Sequence, residues 1–197
     1  MKLRMRSWDA FDPVVLKPAG DISSAFVRVG TLDYRAAAQF VSRLPYGRNT
    51  NVSDPLIVIH ERRGTCSTKH ALLRRLAAEQ GLGVTLVLGI YEMHERNTPG
   101  VGPVLKKHQL VSLPEAHCYL RFRGNRIDVT REIDAQAAEE SAHFLHEEDI
   151  APEQIGNYKE TFHRAFLSRW IAETGTVGRT VSEVWRIREE CIMALSR

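Results

Sequence analysis

The chain is 197 residues long, 43% hydrophobic and 26% charged. That length and apolar content fit one domain with a sizeable core, and they exclude a disordered chain, a collagen-like repeat and a disulfide-stapled miniprotein. Twenty-seven basic residues against 24 acidic ones leave a net charge of +3, too mild and too scattered for a nucleic-acid partner, which needs clustered basic charge. Three cysteines, Cys66, Cys118 and Cys191, are an odd and sparse set that fits reduced thiols and a cytoplasmic location. No apolar run nears the roughly 20 residues that span a bilayer. The basic N-terminal residues have no apolar stretch behind them, so no signal peptide and no membrane partner are expected.

In chain order, Ala25 to Val29 alternates weakly and reads as an early strand. Thr31 to Leu44 reads as a helix with Leu32, Ala36, Phe40 and Leu44 on its buried face. Residues 45–55, rich in Pro, Gly, Asn and Asp, form a loop. Leu56 to Ile59 fits either a helix start after Asp54-Pro55 or a short β-branched strand. Cys66 to Gln80 is a helix with the stripe Leu72, Leu73, Leu76, Ala77 and Gly81 at its end. Val84 to Tyr91 reads as a buried strand. Residues 94–115 carry three prolines and two glycines and read as a long, structureless, lid-like connection. Ala116 to Phe122 and Arg126 to Val129 form a hairpin through Gly124-Asn125. The last third is helical. Tyr158, Phe162, Phe166 and Trp170 form an aromatic stripe expected to pack on its own domain, and a Thr180–Glu183 capping box opens a final amphipathic helix. Helices, then strands, then helices describe an α+β domain. Residues 1–150 form the core with its N-terminal elements, and 151–197 a helical extension packed on it.

Cys66 follows Arg62-Arg63-Gly64-Thr65 and opens its helix. The first turn of a helix presents unpaired N–H groups and partial positive charge, which stabilise a thiolate and can donate to an oxyanion formed by its attack on a carbonyl. A nucleophile needs a base and an orienting group. His117 at a strand start and Asp128 on the next strand supply the residue types. Turn geometry leaves their relation open. A two-residue Gly124-Asn125 turn sets the two about 13 Å apart along the strands, whereas a longer turn with Gly124 as a bulge brings Asp128 opposite Cys118.

The string GTCSTKHALLRRLAAEQGLGVTLVLGIY, followed by His117 and by Asp128-Val129-Thr130, resembles the transglutaminase-like superfamily, a branch of the papain-like cysteine enzymes. The resemblance spans residues 30–131. Ser67 stands where many relatives carry an aromatic residue, Tyr119 where they carry Trp, and Val129 where they carry Pro. It implies a Cys-bearing helix packed on an antiparallel sheet, and a triad of nucleophile Cys66, base His117 and orienter Asp128. The implied chemistry is acyl transfer or hydrolysis of a small amide or peptide. The Cys66 backbone N–H and His60 are oxyanion candidates. No cofactor is implied.

The alternative function is an inactive transglutaminase-like domain that uses the same cleft for binding. Cys66 and His70 have the spacing of a metal pair, yet zinc usually takes four ligands, and His60, His94, His108 and Cys118 are scattered, so no metal is expected. The Arg121–Arg126 tract, Lys106-Lys107 and Arg74-Arg75 read as solvated surface rather than a nucleic-acid contact.

Overall fold

Local side-chain caps at Asp33, Thr65 and Thr180 set three of the helix starts in the computed structural model, which describes residues 7–131, 143–174 and 178–195. A short turn at Ser7–Ala10 leads to α1 (Asp21–Arg28), α2 (Tyr34–Arg43), α3 (Ile57–Glu61) and α4 (Cys66–Glu79). Strand β1 (Thr85–Met93), α5 (Gly102–Lys107), β2 (Leu113–Phe122), β3 (Asn125–Ile127) and β4 (Phe144–Ile150) follow. A turn at Pro152–Ile155 precedes α6 (Asn157–Thr174) and α7 (Val181–Ala194). The expected α+β class holds: among the described residues, seven helices accompany a four-stranded antiparallel sheet of order β3-β2-β1-β4.

The described residues divide into two compact units. The first comprises 7–88, 118–131 and 148–156. Its core gathers Phe26, Tyr34, Leu72, Leu73, Leu76, Leu86, Leu88, Leu120 and Ile127, all buried. Burying these apolar side chains supplies the main favourable term of folding. Two polar tethers fix α4 within it. The Glu79 carboxylate accepts from the Ile22 and Ser23 amides at 3.1 and 2.7 Å, capping α1 from a distant helix. The buried Tyr34 hydroxyl donates to the Leu73 carbonyl at 2.9 Å, and burial raises its pKa.

The second unit comprises 89–117, 143–147, 157–174 and 178–195. Tyr91, Met93, Leu105, Leu113, Ile187 and Cys191 form its core. Gly89 belongs here because the Phe144 ring occupies the place a Cβ would take. The Glu115 carboxylate, 4% exposed as a residue, accepts from Arg188 Nε at 2.7 Å.

Several expectations need correction. Residues 25–28 belong to helix α1, not a strand, with Ile22, Ala25 and Phe26 on one buried face. Helix α2 buries Tyr34, Ala37, Ala38 and Val41; of the expected stripe Leu44 is buried, whereas Ala36 and Phe40 are half-buried and Leu32 is 65% exposed. Residues 94–115 are not structureless, because α5 starts at Gly102-Pro103 and β2 starts at Leu113. The hairpin turns through Arg123-Gly124, whose φ values of 48° and 78° are those of a tight two-residue turn. Helix α6 buries Lys159, His163 and Leu167, leaving the aromatic stripe half-exposed. The undecided segment at Leu56 is helical, as α3.

Candidate active site

The route into Cys66 is held on both sides. The Gly64 N–H donates to the Pro45 carbonyl at 3.1 Å, and the Gly47 N–H donates to the Gly64 carbonyl at 3.2 Å. A Cβ at Gly64 would press on Lys69, Thr68 and Val58 side-chain atoms at 3.0 to 3.1 Å, so any larger residue here would have to displace them. Glu61 ties loop 45–55 to the same stretch: its carboxylate accepts from the Thr50 amide and the Asn49 side chain at 3.0 Å. Those bonds, with the Thr50 hydroxyl first, hold its pKa at about 2.

Thr65 then caps α4. It exchanges hydrogen bonds with Thr68, the Thr65 N–H donating to Thr68 Oγ1 at 3.0 Å, and Thr68 Oγ1 donates to Asn49 Oδ1 at 2.7 Å. Cys66 is therefore the first helical residue, as the sequence leads one to expect. Its thiol is buried, with Sγ 3.8 Å from Ser67 Oγ, which in turn lies 3.6 Å from Cys118 Sγ.

One turn on, two fully buried side chains join this helix to the Asp128 segment. Lys69 Nζ donates to the Leu44 and Thr130 carbonyls at 2.6 and 2.7 Å. Burial pulls its pKa down to about 8, while the nearby Asp128 carboxylate and Cys66 sulfur pull the other way. By the same coupling, the ammonium favours the thiolate of Cys66. His70 Nε2 accepts from the Val129 N–H at 2.9 Å. The proton of the neutral ring is thus on Nδ1, which donates to the Cys66 carbonyl at 2.7 Å. Asp128 Oδ1 stands 3.6 Å from that Nε2, too long for a hydrogen bond and between two acceptors. The Asp128 carboxylate accepts instead from the Thr130 N–H at 2.9 Å, and its carbonyl accepts from Ser7 Oγ at 2.6 Å.

Cys66 and Asp128 thus belong to one unit, joined through His70. His117 is the last residue of the 89–117 segment, half-buried on β2, with its ring edge-to-face against Tyr91 at 5.9 Å. His60 lies exposed at the end of α3, its Nδ1 3.4 Å from Asp54 Oδ2. Of the other metal candidates, His94 bonds with Asn97, and His108 bonds with Glu190 at 3.0 Å. No group of three metal-ligating side chains gathers among the described residues. Burial pushes the Cys191 thiol up to about 12.

Sequence reasoning missed Lys69 and weighed His70 only as a metal ligand. Their signal was position: residues three and four beyond Cys66 share its helix face. No helix among the described residues is long and apolar enough to cross a membrane. No protein-family model, no curated protein and no solved structure matches the chain.

Proposed function

We propose that the chain is a thiol-dependent acyltransferase or amide hydrolase on a papain/transglutaminase-like core, with Cys66 as nucleophile, His117 as base and Asp128 as the group that orients His117. The observation that carries this reading is Cys66 at the first position of a 14-residue helix, with the buried Lys69 ammonium on the same helix. The helix terminus and the cation both favour the anionic sulfur. Both His70 nitrogens are committed to backbone groups, so proton transfer falls to another imidazole.

His117 is the imidazole assigned that role, from the ordered Cys66, His117, Asp128 set along the sequence.

In the reaction, the Cys66 sulfur attacks an amide or thioester carbonyl, and the Cys66 N–H donates to the resulting oxyanion. His117 takes the Cys66 thiol proton and passes it to the leaving amine or thiol; it then takes a proton from water or an amine, which captures the acyl group, and returns that proton to the Cys66 sulfur. The test is intact-mass analysis after brief exposure to 4-nitrophenyl acetate. An acetyl group should be found on Cys66 and should be absent in His117→Ala. A chain acetylated no faster at Cys66 than at its other thiols is no acyl-transfer enzyme. The 7% exposure of Cys66 favours the second reading, a transglutaminase-like domain that binds without turnover, and the same experiment separates the two.

A further inference from the structure

Of the stripe that sequence periodicity assigns to the core of α2, Leu44 is buried, Leu32 is exposed, and Ala36 and Phe40 are half-buried. Ala36, Phe40 and the edge of Leu44 line an open groove of about 680 Å³ in the first unit, together with Val29, Arg43 and Arg62. That volume is within the roughly 300–1,000 Å³ of small-molecule sites. The groove combines the apolar Val29, Phe40 and Leu44 with the cationic Arg43 and Arg62. Arg62 lies over the Phe40 ring, 5.7 Å from its centroid.

Among the described residues, no carboxylate answers this cationic charge. Glu61, the adjacent acid, gives its carboxylate to Thr50, Asn49 and Arg63. Among the described residues no carboxylate forms an ion pair with Arg43 or Arg62. Arg62 is also one of three non-glycine residues with positive φ among the described residues, at 51°. The negative end of α2 would oppose an anion here, but the Leu44 carbonyl is already taken by the Lys69 ammonium.

The groove wall is bonded to the nucleophile's own segment. Pro45 accepts from the Gly64 amide, two residues before Cys66. We propose that this groove binds a small ligand made of an apolar body and an oxyanion, carboxylate or phosphate, with Phe40 and Leu44 holding the body and Arg43 and Arg62 the anion. Guanidinium groups suit either oxyanion because they offer paired donors. Resting on the acyl-transfer reading, this ligand is the acyl substrate of Cys66, and the enzyme acts on acidic, partly apolar amides or thioesters.

Two measurements separate the groove from the reaction. Calorimetric titration of the full chain with 4-phenylbutyrate, 2-phenylethyl phosphate and the neutral 4-phenylbutanol reads binding alone. One or both acids should bind at least about tenfold more tightly than the alcohol, with that advantage lost in Arg43→Gln/Arg62→Gln and in Arg62→Glu. Whichever acid binds identifies the oxyanion. Acids that bind no better than the alcohol, or that bind the folded variants as tightly as the parent, overturn the proposal. Alkylation of Cys66 by 4-(iodoacetamido)benzoate against neutral N-phenyl iodoacetamide then reads the link to the nucleophile. The anionic reagent should be preferred, and the arginine variants should lose the preference. Equal rates with intact acid binding overturn the substrate assignment, and Cys66 inert to both reagents overturns the acyl-transfer reading while leaving the binding result to stand.

Discussion

Replacing Lys69 by Met removes a buried ammonium and leaves the Leu44 and Thr130 carbonyls without their donor. The drop in the lysine's pKa from 10.5 to about 8, at about 1.4 kcal/mol per pH unit, corresponds to about 3 kcal/mol of stability lost by keeping it charged in the folded state. Two carbonyls left bare cost about 1–3 kcal/mol each, so near pH 7 the two effects offset and the variant should be close to the parent in stability. The pH dependence carries the signature. Below pH 8 the lysine is charged whether folded or unfolded, and the full penalty applies. Between about 8 and 10.5 the folded chain has released the proton that the unfolded chain still holds, so the parent gains stability over the variant as pH rises. Above 10.5 the gap is constant at about 3 kcal/mol more than at neutral pH. Tyr34 and Cys191 titrate in both proteins and cancel in the difference. Urea unfolding of both chains at pH 7 and at about pH 10 measures it. A difference that does not change with pH would refute the reasoning.

Three further substitutions probe the scaffold. His70→Phe strips partners from the Cys66 carbonyl and the Val129 amide and should cost about 2–5 kcal/mol; a loss under about 1 kcal/mol by urea titration would mean that the ring is not a tether. Arg188→Met leaves the Glu115 carboxylate, which the guanidinium holds below its usual pKa, buried without its hydrogen-bonded partner, with an expected cost of about 3–5 kcal/mol. Adding Glu115→Leu should recover a good part of that, and a double variant as unstable as the single one would contradict the pairing argument. Gly89→Ala places a methyl group in the Phe144 ring; thermal unfolding should show a loss of about 1–3 kcal/mol, and an unchanged midpoint would show that the ring moves aside freely.

Features with local causes were legible in the sequence. The start of α4 and the Thr180–Glu183 box, in which Thr180 Oγ1 accepts from the Glu183 amide at 3.2 Å, depend on residues three apart. Helix α1 was not legible, because the carboxylate that caps it belongs to Glu79, 57 residues from Ile22. Two apolar stripes compete on α2, and the more buried one carries Tyr34, whose hydroxyl donates to the Leu73 carbonyl 39 residues away. The hairpin register turned on Arg123 accepting a left-handed conformation, for which arginine has no particular preference. Around Cys66, the helix position could be read directly. A buried lysine could not, since lysines are rarely fully buried, and the carbonyls that hold Lys69 come from residues 25 and 61 positions away.

The central claim is a reactive Cys66 served by His117, and alkylation at pH 6 resolved by thiol tests it most directly. Cys66 should label fastest of the three cysteines, and His117→Ala should bring its rate down to theirs while the chain stays folded. Cys66 labelling no faster than Cys118 and Cys191, or a rate untouched by loss of the imidazole, would contradict the account.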